Sequence, residues 1–534
     1  MNILILGGGI MQLPAVRIAC RKGWKVFVAA REIEAAVRAL ADEALTVDLL
    51  DRDALGEAAL RLRELYGLDG VFTAGTDFST TVAWLAEQLR LPGLPQAVAR
   101  NATDKGRMRA RFLDQGVPCP RFFTIAGTAE PERPPDFVFP LVVKPVDNMG
   151  ARGVRRVDNE EEFRGAVTAA LGQSRTGRVI VEQYLEGPEL SLDAVVYRGR
   201  ATVCGVADRH ICFPPFFVEM GHTMPTALDP EVVARAEEVF RAGIRALGIR
   251  NGAAKGDIKI TPAGPAVGEI AARLSGGYMS GWTYPLATGV EVTEAALNIA
   301  VGLPPGELMP RYSAVAAERA FISIPGRVAA LEGLTEVRQV TGLEELFLRV
   351  HVGERVKLPV NNLEKCGNVI TRAGSRARAV TAAEQAIQRL FIRLAPGDEE
   401  TRRFLLAEEP GPWVAFPTFS PAFERELSAL PQAVGQTACL GRGTAGLAVL
   451  RPAGLTVEAG RDWHALPIGA ALEQVERLTG VSVTDVPLPG RLTLGRLFWQ
   501  AMRRGGVQAG VYLIETLSSG EPEQSLRSLQ AGGA

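Results

Sequence analysis

The chain has 534 residues, with 59 Lys and Arg against 60 Asp and Glu, four His and six Cys, and it is 47% hydrophobic. At about 150 residues per domain this length suggests three or four domains, and the apolar fraction suffices for buried cores, which excludes wholesale disorder. A net charge of −1 gives no electrostatic case for nucleic acid, and no run approaches the length of about eighteen apolar residues that a membrane span needs.

Residues 2 to 6 (NILIL) are a short apolar run ending in Gly7, Gly8 and Gly9. A helical pattern with Leu13, Val16 and Cys20 follows, then a second apolar run from Trp24 to Ala30: a βαβ opening of a parallel sheet. A dinucleotide fingerprint needs a third glycine where Gln12 stands, so these glycines are read as packing glycines rather than a pyrophosphate cradle. Further alternation through VDLLD, DGVFTAG and a helix around Thr80 to Leu89 makes residues 1–95 one small α/β domain. The start MNILILGGGI is read as lacking the basic segment and cleavage site of a signal peptide, so a cytoplasmic location is expected.

Next, Asp104 is placed to cap a helix carrying Met108, Phe112 and Leu113, stopped by Gly116-Val117-Pro118. The strand LVVKP ends on Lys144, and DNMGARGV follows directly; RVIVEQYL and EGPELSLDAVVY read as further strands. Between Asp229 with Pro230 and Gly248, the residues Val233, Ala236, Phe240, Ile244 and Leu247 recur at helical spacing. Residues 96–310 are read as α+β. Residues 311–395 look like short antiparallel strands and one helix near 381 to 392; APGDEE and EEPGP suggest a linker, and 411–534 a further α/β domain of unknown role. Cys20, Cys119, Cys204, Cys212, Cys366 and Cys439 are scattered without a CxxC pair, so small buried thiols are expected rather than zinc or disulfides.

The strongest chemical signal is GDIKITPAGPAVGEIAARLSGG. GDIKI and AVGEIA are β-like around the loop TPAGP, and a hairpin turning about Ala263 sets Asp257 opposite Glu269. Directly opposed carboxylates repel unless a cation joins them, and Mg²⁺ suits two carboxylates completed by water and phosphate oxygens. The period of two puts Ala271 and Arg273 on the face of Glu269, aiming a guanidinium at a bound anion. The alternative is a solvent-facing hairpin with incidental charges. A second signal is Lys144 before Gly150 and Gly153, whose backbone can fold over phosphate oxygens; the alternative there is a solvated lysine beside ordinary turns.

The ordered set ATDK (102 to 105), VVKP (142 to 145), MGARGV (149 to 154), VEQYLEGPE (181 to 189), GDIK (256 to 259) and GEIAARLSGG (268 to 277) resembles the ATP-grasp superfamily. It is similar to the carboxylate-amine ligase branch, with the L-amino acid ligases and proteins like carbamoyl-phosphate synthase. The resemblance implies a Rossmann-like domain over residues 1–95 preceding a two-lobed ATP-grasp domain over 96–310, with a β-rich lobe over 311–395 and the additional domain at 411–534. It implies ATP with Mg²⁺ or Mn²⁺, an acid and an amine as small-molecule partners, and neither nucleic acid nor membrane; a homodimer is left open. By the same resemblance Lys105 and Lys144 would meet the nucleotide phosphates under the loop of Gly150 and Gly153. Glu182 and Leu185 would lie in the hinge that meets adenine, and Glu189 would hold the ribose. Asp257 and Glu269 would be the metal ligands, and Arg273 would steady the transferred phosphoryl group.

PPFFVEMGHTMP (214 to 225) resembles the stretch that approaches substrates in amino acid ligases, making Glu219 and His222 candidates; the alternative for His222 is a loop histidine satisfied by a carbonyl. One departure is visible: the family usually carries Asn two residues after the second acidic ligand, and here Ala271 stands. The reaction implied is ATP-dependent activation of a carboxylate as an acyl phosphate and its capture by an amine. Two rivals are a bicarbonate-activating relative and a catalytically weakened nucleotide-binding regulator, with a nicotinamide oxidoreductase a distant third.

Overall fold

The computed structural model describes residues 1–127, 131–407, 413–417, 421–435, 444–453, 455 and 460–519. It divides into two compact units, Met1–Glu318 with Ile370–Val380, and Arg319–Val369 with Thr381–Ala534.

The first unit opens with a parallel sheet of β1 (Asn2–Leu6), β2 (Lys25–Ala30), β3 (Glu43–Thr46) and β4 (Gly70–Phe72) in the order β3-β2-β1-β4. β1 is fully buried from Ile3 to Leu6, which is why it reads as an unbroken apolar run rather than an alternating one. A Cβ on Gly8 would lie 2.3 Å from the Glu32 carbonyl oxygen. Buried Gln12 reaches back over Gly7 and donates from Nε2 to the Ala74 carbonyl at 2.6 Å. The turn is thus filled by its own side chain. The helix expected at Thr80 to Leu89 spans Ser79–Gln88.

A second sheet, β5 (Phe122–Ala126), β6 (Leu141–Pro145), β7 (Arg155–Val157) and β8 (Arg178–Gln183), is antiparallel in the order β5-β8-β6-β7. One face buries Leu141, Val143, Val179 and Val181 against Phe163 and Val167 of the helix Glu160–Gln173. The other face carries Lys144 and Glu182.

The third element is the antiparallel run β13-β12-β9-β10-β11, with β9 (Glu189–Tyr197), β10 (Arg200–Cys212), β11 (Val218–Met224), β12 (Gly252–Thr261) and β13 (Gly264–Ala271). Its apolar face, with Leu190, Leu192, Ile258 and Ile270, packs on Phe240 and Ile244 of the helix Pro230–Leu247. That helix starts on the Asp229 cap, which accepts from the Glu231 amide at 2.8 Å, and stops at Gly248 with φ 84°. The helix Lys105–Asp114 begins at the Asp104 cap and buries Met108 and Phe112. Leu113, expected with them, is exposed, because five residues on from Met108 the helix has turned it off that face.

In the second unit, Gly326–Glu332 pairs with Arg355–Val356 and Phe391–Leu394. The helix expected near 381 to 392 runs Arg376–Arg389. The APGDEE stretch is folded rather than linking: Asp398 caps the helix Glu399–Leu406 and its carbonyl accepts from the Tyr512 hydroxyl at 2.6 Å. EEPGP and Cys439 lie outside the described residues. Leu447–Leu450 pairs in parallel with Ser482–Thr484 and Leu492–Leu494, beside the helices Ile468–Thr479 and Arg496–Ser518. Burial holds the His464 ring down to about 4, and its Nε2 accepts from the Ile322 amide at 3.1 Å. Among the described residues the cysteines are free, and no helix is long and apolar enough to cross a membrane.

Candidate active site

The site face of the β9–β13 run follows from the period of two. On β9 it carries Glu189, Ser191 and Asp193; on β12, Lys255, Asp257 and Lys259; on β10, Arg209. Asp257 sits opposite Glu269, as expected, but the turn differs from the expected one. Thr261 pairs with Gly264, so Pro262 and Ala263 form a two-residue turn, and a bulge at Gly268 brings Glu269 into line. β11 has a similar irregularity: His222 pairs with Arg209, and the register then skips Met220 so that Glu219 faces Ile211. This bulge lets two residues three apart share one face, with His222 Nε2 at 3.7 Å from Glu219 Oε2.

Lys105 opens its helix, and its buried ammonium lies 2.7 Å from the Asn148 carbonyl and 3.2 Å from Glu269 Oε1. Lys144 Nζ is 2.6 Å from Glu182 Oε2. Glu182 is almost fully buried; burial raises its carboxyl, and Arg109 and Lys144 more than offset this, holding it below the usual carboxylate range. Gly150 and Gly153, with φ of 68° and 70°, turn the loop between β6 and β7 in the left-handed region that glycine adopts without strain. Leu185 is half-buried in the hinge between β8 and β9, which is pinned to β12 by the Ile260 amide donating to the Pro188 carbonyl at 2.9 Å. Glu189 is paired with Arg209 and, at 3.4 Å, with Lys259. Asp257 pairs with Lys255 and lies 3.3 Å from Arg209. Arg273, beyond the end of β13, is turned so that Nη1 donates to the Leu274 carbonyl at 2.8 Å.

His222 is buried on a strand rather than in a loop. Its Nδ1 is 3.0 Å from Glu318 Oε2 and its Nε2 faces Glu219, so the ring is held between two carboxyl groups. Gly277 makes room for this cluster: a Cβ there would lie 2.7 Å from both Glu219 Oε1 and His222 Cε1.

The residues fit a magnesium nucleotide. Burial pulls the Glu269 carboxyl up, but Lys105, Lys255 and Lys144 override it and hold it at about 2, so the carboxylate is charged. Its cross-strand partner Asp257 is likewise matched with a cation, which marks both positions as sites that demand positive charge. Among the described residues no group of three potential ligands forms a cage, and two carboxylates completed by phosphate oxygens and water are what Mg²⁺ accepts. Ala271 stands opposite Lys255, so a methyl group occupies the position where the family has a ligand.

Arg109, Asp193, Arg209, Lys255 and Glu318 belong to this assembly and were not singled out from the sequence. Lys255 was within reach, since Lys255, Asp257 and Lys259 alternate with Gly256, Ile258 and Ile260. Asp193 shares the alternation of Glu189 on its strand and Arg109 lies one turn after Lys105 on its helix, whereas Arg209 and Glu318 are single charges on other strands.

Residues 137–281 match the ATP-grasp domain family and residues 320–395 the L-amino acid ligase C-terminal domain 2. The chain therefore contains an ATP-grasp domain, followed by a segment that matches the C-terminal domain 2 of the L-amino acid ligases, the branch its motifs resemble. It is 27% identical over 392 residues to the uncharacterized protein y4rH of Sinorhizobium fredii, covering 72% of this chain and 79% of that one. It is 28% identical over 390 residues to carnosine synthase 1 of Gallus gallus, covering 65% of this chain and 41% of that one. The L-amino acid ligase of Bacillus licheniformis superposes with a TM-score of 0.66 at 24% identity, over 74% of this chain and 98% of that one. The biotin carboxylase domain of Hydrogenobacter thermophilus 2-oxoglutarate carboxylase, solved with MgADP and bicarbonate, gives 0.59 at 18% identity, over 73% of this chain and 90% of that one.

Proposed function

We propose that this protein joins a carboxylate, an amino acid or a similar small acid, to an amine at the expense of ATP. The observation that carries the reading is the sharing of one sheet face by the Asp257 and Glu269 pair and the buried His222 and Glu219, with Lys105 bonded to Glu269. A carboxylate does not react with an amine at neutral pH, because oxide is too poor a leaving group. Transfer of the γ-phosphoryl group makes an acyl phosphate and ADP; the amine nitrogen then attacks the acyl carbon, phosphate leaves, and the amine's proton is given up.

Lys105, Lys144 and Arg273 offset the negative oxygens during transfer. Asp257 and Glu269 would hold the divalent ion, which supplies charge neutralisation at the phosphates. Glu219 positions the substrate, and His222 takes the amine proton. Leu185 and its hinge would receive adenine, Glu189 the ribose, and the loop of Gly150 and Gly153 would exclude water that hydrolyses an acyl phosphate. Amino acid substrates are supported by the likeness to an L-amino acid ligase and to carnosine synthase.

Ala271 favours a second reading, a protein that binds nucleotide and has lost turnover. A phosphate-release screen of paired amino acids and small acids with Mg-ATP separates the readings. Release that requires both an acid and an amine is expected. Nucleotide binding without release for any pair would select the regulator, and release driven by bicarbonate alone would select a carboxylase-like reaction.

A further inference from the structure

The pairing of Asp257 with Glu269 depends on one extra residue. From the turn, Thr261 to Ile258 pair regularly with Gly264 to Val267. Continued without change, that register would set Asp257 against Gly268 and Glu269 against Gly256, and Glu269 would project to the opposite face, where Phe240 and Ile270 pack. The bulge at Gly268 prevents this. A Cβ on Gly268 would lie 3.1 Å from the Asp257 carbonyl oxygen, so the bulged residue closes tightly on the partner strand.

The bulge is held by Arg109, which is fully buried. Its Nη2 donates to the Gly268 carbonyl at 2.5 Å, and its Nε donates to Glu182 Oε1 at 2.8 Å. The other oxygen of Glu182 takes Lys144 Nζ. One turn earlier on the same helix, Lys105 reaches Glu269 itself. The helix Lys105–Asp114 therefore grips the hairpin twice, at the bulge carbonyl and at the carboxylate it positions. Neutralising Glu182 alone needs only a point charge. Reaching Glu182 and the Gly268 carbonyl together needs the planar fork of a guanidinium.

We infer that Arg109 is a positioning residue that locks the Gly268 bulge, so that Glu269 faces Asp257, and through Glu182 aims Lys144. This rests on the reading of Asp257 and Glu269 as the anchor of a metal-bound nucleotide. The test is calorimetric titration of the full chain with ADP, with and without Mg²⁺, for the protein and for Arg109→Lys. The ratio of the two affinities reports the metal's contribution, and the binding stoichiometry reports the folded fraction.

Arg109→Lys should lower that ratio by about tenfold or more, as loss of an outer-shell partner does at metal sites. Arg109→Gln with Glu182→Gln removes this buried pair together, so neither is left facing the other's absence although Lys144 loses its carboxylate, and should lower the ratio likewise. An unchanged ratio in either folded variant overturns the inference. Absence of ADP binding by the unaltered protein would instead remove the proposed function on which it stands.

Discussion

Glu269 and Lys144 have different jobs, and their substitutions should part company. Glu269→Gln keeps the shape of a side chain that is a third exposed and removes the charge that Lys105, Lys255 and Lys144 stabilise, so ADP formation should cease and the unfolding midpoint should fall without loss of the fold. Full activity would contradict its assignment to the metal. If Lys144 meets a phosphate as proposed, Lys144→Ala removes one charge-assisted hydrogen bond and should raise the ATP requirement about tenfold or more. Unchanged ATP kinetics would take it out of the site. Asp193 offers a different readout. Burial pushes its carboxyl up to about 6, against the hydrogen bonds it accepts from Ser275. The unfolded chain loses this proton near the ordinary value of 3.8, so Asp193 lets stability fall as pH rises from there to about 6. Asp193→Asn should flatten that segment of a stability-versus-pH curve, and an identical slope would mean the carboxyl is not held protonated.

The hairpin of β12 and β13 and its backing helix are the elements on which the site depends. Alternation in GDIKI and AVGEIA and the proline-bearing turn made the hairpin and its facing carboxylates legible in the sequence. The two-residue turn and the compensating bulge were not, since a bulge is decided by what grips it, and Arg109 lies some 160 residues away in the chain. His222 shows the same limit: its segment carries glycine and prolines and reads as a loop, yet pairing with β10 makes it a buried strand. Behind the hairpin, a Cβ on Gly256 would lie 2.5 Å from the ring of Phe240. Gly256→Ala should therefore cost about 1 to 3 kcal/mol of stability by overpacking, read as a lower denaturant midpoint. An unchanged midpoint would show that the Phe240 ring can move aside.

At the scale of the whole molecule, a net charge of −1 conceals a strong local ordering of charge. Arg209 alone touches Glu189, Glu219 and Asp257, joining the predicted ribose, substrate and metal positions on one guanidinium. If this is the nucleotide site proposed, binding should stabilise the fold by mass action. Mg-ADP at about a hundred times its dissociation constant should add about 2.7 kcal/mol, visible as a higher unfolding temperature in scanning calorimetry. No shift at saturating Mg-ADP would count against nucleotide binding as a whole.

Local patterns in the chain were enough for the parallel opening sheet, the helix Pro230–Leu247 with both its caps, the hairpin, and the ordered motifs of the ATP-grasp class. These are decided by side-chain period, capping and turn chemistry, which act over a few residues. Only the tertiary structure decided that Glu182 bridges Arg109 and Lys144, that Glu318 orients His222, and that Arg209 joins three carboxylates. Those pairings bring together charges from separate elements, and a buried charge takes its partner from whatever the packing sets beside it.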